Sequence, residues 1–178
     1  MQTLSPTSRI ARNGLMLAMM CIVGMFSIPL GDNIKVSLQF LMVCLIVLTS
    51  PAFYDGIIVL GCYLLIGLFA PVYAGFSAGI TPTFGYVIGF VVAAPAIYFM
   101  NKIPKLNSIV RMALACLVGL LVIYFVGTLF LVLYLHMEDV GKALLISVVP
   151  YIPFDLAKIA LAVILVRLLP RSVGGAGK

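Results

Sequence analysis

Charged residues are scarce in this chain, and acidic residues are the scarcest. The 178 residues include five Asp and Glu, eleven Lys and Arg, one His and no Trp, so that 9% are charged and 64% are hydrophobic. The mean hydropathy is +1.27. A soluble domain of this length cannot cover its surface with so few polar side chains. The composition therefore predicts an integral membrane protein with a single membrane domain over residues 1–178.

The sequence also has few of the patterns that mark catalytic and metal sites. It contains no Walker A sequence and no His/Glu zinc motif. Its one histidine, His136, lies in a predicted polar turn, and its four cysteines fall inside apolar segments without metal-ligand spacing. We therefore predict no catalytic residue, no metal site and no bound cofactor. Any energised transport would need ATP hydrolysis by partner subunits.

Apolar runs separated by polar turns predict six membrane-spanning helices. The predicted spans are Arg12–Ile28, Val36–Thr49, Asp55–Phe69, Thr83–Met100, Met112–Leu135 and a last helix that begins near Pro153 after a half-length helix. The fold class is therefore an all-α membrane protein, a six-helix bundle whose last span follows a broken helix. Lipid is its predicted surrounding.

The distribution of Lys and Arg predicts the orientation of these spans. One side collects eight of them: Arg9, Arg12, Lys102, Lys105, Arg111, Arg167, Arg171 and Lys178. The other side has Lys35 and Lys142, beside the acidic Asp32, Glu138 and Asp139. Because cytoplasmic loops carry the excess of Lys and Arg, both termini are predicted to be cytoplasmic, in a prokaryotic plasma membrane. Basic residues at helix ends are no indication of nucleic-acid binding.

The stretch from Pro150 to Lys158 is the most informative in the chain. Pro150 and Pro153 resist the interior of a helix, so a break is predicted between them, and a new helix is predicted to begin near Pro153. Asp155 then lies in the first helical turn, and Lys158, three residues on, shares its face. About 18 Å of helix separates Asp155 from Arg167. An ionisable pair at that depth in a bilayer is a candidate functional site.

Two interpretations of this pair remain open. In the first, Asp155 and Lys158 neutralise each other and stabilise a broken helix. In the second, Lys158 holds an anionic group of a ligand while Asp155 keeps Lys158 charged or accepts a ligand hydrogen bond, as broken helices do in many transporters. Four neutral polar residues on the predicted outer side would then complete a shared pocket: Gln39, Ser77, Thr83 and Tyr86.

Small residues in the predicted first helix indicate a close helix contact. Gly14 and Ala18 form a small-xxx-small pair, which lets another helix approach. The segment from Pro71 to Tyr86 contains no charge and is rich in Gly, Pro and aromatic residues. That composition suits a packed cover better than a solvated linker.

Four stretches in order resemble the BioY family, the biotin-binding membrane components of energy-coupling-factor transporters. They are Ile28–Gly31 with Val36–Gln39, Pro71–Gly79, Pro82–Phe90 and Pro150–Lys158. The resemblance implies a six-helix bundle with a pocket near the outer face. It also implies partners: a transmembrane coupling subunit, contacted through Gly14 and Ala18, and two cytoplasmic ATPases. Asp155 and Lys158 carry over as ligand contacts, together with Gln39 and Tyr86.

Three residues depart from the family pattern around the expected pocket. Thr81 and Phe84 stand where the family has glycine, and Phe154 replaces the glycine before Asp155. Phe84 is therefore grouped with the predicted substrate-binding residues. The ligand implied is biotin, with a biotin precursor or another small carboxylate as alternatives. The competing functions are a non-transporting membrane assembly protein, in which the Asp–Lys pair is structural, and, less favoured, a small membrane enzyme.

Overall fold

In the computed structural model, the described residues are 5–29, 35–104, 106–136 and 139–169, and they form a helical bundle with one short hairpin. The helices are α1 (Pro6–Met25), α2 (Gln39–Leu48), α3 (Phe53–Phe69), α4 (Phe84–Met100), α5 (Ser108–Leu135), α6 (Val140–Ser147) and α7 (Ile152–Leu168). A 3₁₀ turn, Val149–Tyr151, joins α6 to α7, and the hairpin pairs β1 (Ser27–Pro29) with β2 (Lys35–Ser37) in antiparallel register. The six helices other than α6 correspond to the six predicted helices, and α6 corresponds to the predicted half-length helix.

The predicted break before the last helix is confirmed. The chain leaves α6 at Ser147, makes one 3₁₀ turn that contains Pro150, and enters α7 at Ile152 with Pro153 in the first turn. Proline suits that position because the amide hydrogens of a first turn have no partner within the helix. Asp155 and Lys158 are consequently buried on one face of α7.

The first helix begins six residues earlier than predicted. Ser5 caps it by accepting a hydrogen bond from the backbone N–H of Ser8, and Pro6 opens the first turn. The two arginines are compatible with this longer helix because both have partners within the bundle. Arg9 contacts the Asp55 carboxylate at 2.9 Å, and Arg12 donates to the Thr49 hydroxyl at 2.6 Å.

The predicted start of the second helix at Val36 is wrong, and a short hairpin is added to the helical fold. Val36 pairs with Ile28 in the hairpin, and α2 begins only at Gln39. Ten residues of helix span about 15 Å, so α2 is shorter than a bilayer core of roughly 30 Å. Five charged residues used for the predicted orientation, Asp32, Lys105, Glu138, Arg171 and Lys178, lie outside the described residues, as does the side chain of Lys35.

Within the described ranges, two segments are long and apolar enough to cross a membrane: Ser108–Leu135, and Val140–Leu168, which includes the break. The helices Gln39–Leu48, Phe53–Phe69 and Phe84–Met100 are equally apolar but shorter.

Helices α4 and α5 form the closest helix pair, and glycine makes this approach possible. A Cβ on Gly89 would lie 3.1 Å from the Ile123 Cα and 3.3 Å from its carbonyl oxygen. A Cβ on Gly127 would collide with the Tyr86 ring, and one on Gly85 would collide with the Phe130 side chain. Small residues at such contacts let backbones pack closely where lipid supplies no hydrophobic driving force. This packing sets the separation of two walls of the cavity described next.

Candidate ligand-binding cavity

A cavity of about 380 Å³ opens at the end of the bundle where α2, α4 and α7 begin and α5 ends. Its volume lies within the range of small-molecule sites, roughly 300–1,000 Å³. The residues that line it are Ser37, Gln39, Phe40, Tyr73, Ala74, Thr83, Tyr86, Val87, Phe90, Leu120, Ile123, Tyr124, Leu131, Ser147, Tyr151 and Asp155. Most of this wall is aliphatic or aromatic, and its polar groups are few.

Asp155 is the charged residue of this wall, and both of its carboxylate oxygens are hydrogen-bonded. Lys158 donates to one oxygen at 2.6 Å, and the Tyr124 hydroxyl donates to the other at 2.6 Å. The Asp155 side chain is 9% exposed, so it needs such partners to remain charged out of water. Because each carboxylate oxygen has two lone pairs, Asp155 can still accept a hydrogen bond from a ligand N–H or O–H.

Lys158 does not line the cavity but contacts Asp155, which does. Its side chain is 9% exposed, and its neighbours on the buried face of α7 are Asp155, Ile159 and Ala162. The predicted contact between Lys158 and a ligand carboxylate therefore stays a prediction. In this structure Lys158 reaches the cavity wall only through Asp155.

Gln39 lines the cavity, and a chain of hydrogen bonds holds it in place. Its side-chain amide donates to the Tyr63 hydroxyl, which donates in turn to the Val72 carbonyl at 2.9 Å. The Ser37 hydroxyl donates to the amide oxygen of Gln39 at 3.2 Å. The start of α2 is thus tied to α3 and to the loop that follows α3.

Thr83 and Tyr86 also line the cavity, at the first turn of α4. The Tyr86 hydroxyl donates to the Ser147 carbonyl at 3.3 Å, which links α4 to the end of α6. Thr83 shares a hydrogen bond of 3.1 Å with Thr81. In the loop between α3 and α4, the buried Tyr73 hydroxyl donates to the Leu64 carbonyl at 2.6 Å. Burial raises the pKa of Tyr73 to about 12, so this donor stays protonated at neutral pH.

Two predicted substrate-binding residues, Ser77 and Phe84, are not part of the wall. The Ser77 hydroxyl donates to the Ala74 carbonyl at 3.1 Å, and the Ser77 backbone pairs with Tyr73. Phe84 is buried between the Tyr73 and Phe130 rings, with centroid distances of 6.2 and 5.9 Å. The Ser77 hydroxyl is therefore hydrogen-bonded within its own turn, and the Phe84 ring packs within an aromatic cluster.

Ser77 also stands in a Gly-x-Ser-x-Gly pattern, Gly75 to Gly79, which in hydrolases marks a nucleophile between a strand and a helix. Here the pattern lies in an irregular loop, and the Ser77 hydroxyl is engaged by a backbone carbonyl. The structural context of a nucleophile is therefore missing at this position.

Tyr124 is the partner of Asp155 that sequence reasoning did not identify, and four other polar lining residues were not identified either: Ser37, Tyr73, Ser147 and Tyr151. Tyr124 lies in the middle of the apolar helix α5, where nothing nearby in the chain marks it. A signal was nevertheless present: a buried Asp155 has more acceptor sites than one lysine can fill, so a second donor was required. Among the described residues, no group of three or more His, Cys, Asp and Glu could hold a metal ion.

Gly14 and Ala18 lie on the exposed face of α1, away from the cavity wall. No atom lies within 4 Å of a Cβ placed on Gly14, and Gly14 borders an apolar groove between α1 and α3. At one end of this groove, the Arg9 guanidinium and the Asn13 amide both donate to Asp55. The predicted docking pair is thus accessible from outside the bundle.

Comparison with known proteins yields one consistent group. The sequence profile of the BioY family matches residues 1–175. The chain is 30% identical to a biotin transporter BioY of Thermotoga maritima over 162 residues, which cover 88% of this chain and 92% of that protein. It is 32% identical to a probable biotin transporter BioY of Pyrococcus horikoshii over 155 residues, covering 87% and 91%. A crystal structure described as the S-component for biotin from an ECF-type ABC transporter superposes with a TM-score of 0.80 at 25% identity, covering 98% of this chain and 97% of that one.

Proposed function

This chain belongs to the BioY family, and from that premise we propose that it is the biotin-binding S subunit of an energy-coupling-factor importer. It is an integral membrane transport component, with both termini in the cytoplasm of a prokaryotic cell. It captures biotin at the outer face and delivers it together with a transmembrane coupling subunit and two cytoplasmic ATPases. ATP is used by those ATPases alone.

The observation that carries this proposal is a largely apolar cavity with one neutralised carboxylate in its wall. Biotin combines an apolar thioether ring and aliphatic chain with two ureido N–H donors and a terminal carboxylate. Phe90, Leu120 and Ile123 offer apolar contact, and Asp155 offers the acceptor that a ureido N–H requires. Lys158 balances the charge of Asp155 at 2.6 Å, so that the cavity does not repel an anionic ligand.

The ligand carboxylate has two candidate positions. In the first, it meets the neutral donors Gln39 and Thr83 at the wall, while the ureido ring lies against Asp155. In the second, which is the expectation from sequence, Lys158 leaves Asp155 and meets the carboxylate directly. We favour the first because Lys158 does not line the cavity.

Purified protein without its partner subunits tests the proposal directly. Mass spectrometry of the extracted small molecules should identify biotin, and calorimetry should show its tight binding. Asp155→Asn is the matched variant, since it keeps the shape of the side chain and removes its charge. We expect binding to weaken at least tenfold, or about 1.4 kcal/mol.

Three results would contradict the proposal in different ways. A co-purified biotin precursor or another carboxylate would keep the transport function and change its ligand. A folded protein that binds none of these molecules would favour the assembly-protein alternative. Unchanged affinity in a folded Asp155→Asn variant would remove Asp155 from the site.

A further inference from the structure

Four aromatic side chains form one cluster at the end of the bundle opposite the cavity. We name Phe53, Tyr54, Tyr98 and Phe99 the aromatic platform. Phe53 contacts each of the other three, with ring centroids 5.5 Å from Tyr54, 6.4 Å from Tyr98 and 5.8 Å from Phe99. Phe53, Tyr54 and Phe99 are 44%, 42% and 58% exposed, so the bundle leaves a broad aromatic surface uncovered here.

A cation lies against each side of the platform. The Arg9 guanidinium carbon is 4.9 Å from the Tyr54 ring centroid, and the Lys102 Nζ is 5.0 Å from that of Tyr98. Asp55 is the one carboxylate at this end among the described residues, and it is buried and already accepts from Arg9, Asn13 and the Ala52 N–H. Lys102 is exposed and makes no ion pair within the described part of the chain. The platform is therefore a positively charged aromatic surface.

The platform continues into the apolar outer faces of two helices. Val92 lies two turns from Phe99 on the same face of α4, and Ile58 lies one turn from Tyr54 on α3; they are 48% and 51% exposed. In a membrane protein such faces contact acyl chains. Aromatic rings and Lys or Arg at the ends of membrane helices lie at the level of the lipid headgroups.

We infer that the aromatic platform, with Lys102 and Arg9, binds an anionic phospholipid of the surrounding leaflet. One acyl chain lies along the exposed face of α3 and α4, and the headgroup phosphate meets Lys102, whose ammonium lies over the Tyr98 ring. The negative charge of the lipid completes a surface where the described residues provide cations without an available carboxylate. This site is separate from the biotin cavity and does not depend on the proposed ligand.

The absence of Trp from the chain makes a direct test possible. Phe99→Trp places a single fluorophore on the platform and keeps an aromatic ring there, and Phe69→Trp places one at the other end of the bundle, on a residue 90% exposed. Each protein is reconstituted in vesicles that contain either phosphatidylglycerol or phosphatidylcholine brominated high on the acyl chain, and bromine quenching reports the lipid next to the Trp. At Phe99→Trp we expect phosphatidylglycerol to be preferred roughly fivefold for each contributing cation. At Phe69→Trp we expect no preference.

Substitutions in the Phe99→Trp protein identify the cation responsible. Lys102→Gln should lower the preference about fivefold, while Lys102→Arg should retain it. Lys142→Gln, which removes an exposed lysine near the outer end, should change nothing. Equal quenching by both lipids at Phe99→Trp would overturn the inference and leave the platform to a protein partner. So would a preference that Lys102→Gln leaves intact in a folded, monodisperse protein.

Discussion

Asp155 shows how a buried charge in this protein depends on its neighbours. Its two oxygens are shared between Lys158 from the same helix and Tyr124 from α5, both at 2.6 Å. Removing one partner of a buried ion pair leaves an uncompensated charge, which costs far more than the intact pair contributes. The same residue that lines the cavity therefore also connects α5 and α7.

Lys158→Ala should affect stability and binding together. We expect the free energy of unfolding to fall by roughly 3–5 kcal/mol, because the buried Asp155 loses its counter-ion. Binding of biotin and of biotin methyl ester should both weaken, biotin more than the ester, since an Asp155 without its counter-ion also repels the ligand carboxylate. Thermal unfolding and calorimetry with both ligands provide the two measurements. A loss confined to the free acid would show instead that Lys158 meets the carboxylate.

Tyr124→Phe removes one hydroxyl and leaves the ring of the cavity wall in place. A hydrogen bond to a charged group contributes about 1.5–3 kcal/mol, so we expect a loss of that size in unfolding free energy. Tyr134→Phe is the control, because the Tyr134 hydroxyl is exposed and its hydrogen bond to the Ile80 carbonyl is long, at 3.5 Å. If both variants unfold like the wild type, the Tyr124 contact does not support Asp155.

At the scale of elements, the pair α4 and α5 determines the shape of the cavity. Gly89 meets the backbone of Ile123, and Ile123 and Leu120 line the cavity one turn apart. A backbone contact cannot be relieved by changing a rotamer, so a side chain at position 89 must separate the helices. The walls would then move apart.

Gly89→Leu should accordingly reduce both stability and affinity. We expect an unfolding free energy lower by about 1–3 kcal/mol or more, together with weaker biotin binding. Gly61→Leu is the matched control, because no atom lies within 4 Å of a Cβ at that position of α3. Thermal unfolding of the two variants in the same detergent makes the comparison. Equal loss in both would point to a general effect of bulk and not to the α4–α5 contact.

Helix α1 presents Gly14 and Ala18 outward, so we predict that it is the element that contacts the coupling subunit. Replacing Gly14 and Ala18 with Leu should reduce co-purification with the coupling subunit and the ATPases. Ligand affinity of the isolated subunit should persist, since neither residue lines the cavity. Full assembly of the doubly substituted protein would assign docking to another face.

For the whole molecule, the excess of Lys and Arg at one end predicts the orientation. Ser77→Cys and Asn107→Cys, each in a background without native cysteines, report the two ends of the bundle. An impermeant thiol reagent added to intact cells should label position 77 and spare position 107, because the charge rule puts the basic end inside. The reverse labelling pattern would invert the topology and move the cavity to the cytoplasmic face.

Part of the cavity wall could be predicted from sequence, because some of its residues stand out from their neighbours in the chain. The rest depends on packing between helices, which neighbouring residues do not reveal. Gln39, Thr83, Tyr86 and Asp155 were found because polar residues in an apolar segment are conspicuous. Tyr124 and Phe90 were missed because aromatic residues occur throughout such segments, and only packing shows which of them face a cavity. Ser77 and Phe84, which were also predicted from sequence, lie outside the cavity wall, because chain position near a site does not specify where a side chain points.

The sequence by itself determined the membrane class, the number of long helices, the break before α7 and the pairing of Asp155 with Lys158. Each follows from composition, from the fixed dihedral of proline or from the three-residue spacing of a helix face. The tertiary structure decided that Val36 pairs with Ile28 as a strand, that Tyr124 supports Asp155, and that Lys158 lies behind the cavity wall. The hairpin is local, but the positions of Tyr124 and Lys158 depend on packing between helices far apart in the chain. The close approach of α4 and α5 at Gly89 is one such distance, which no local pattern encodes.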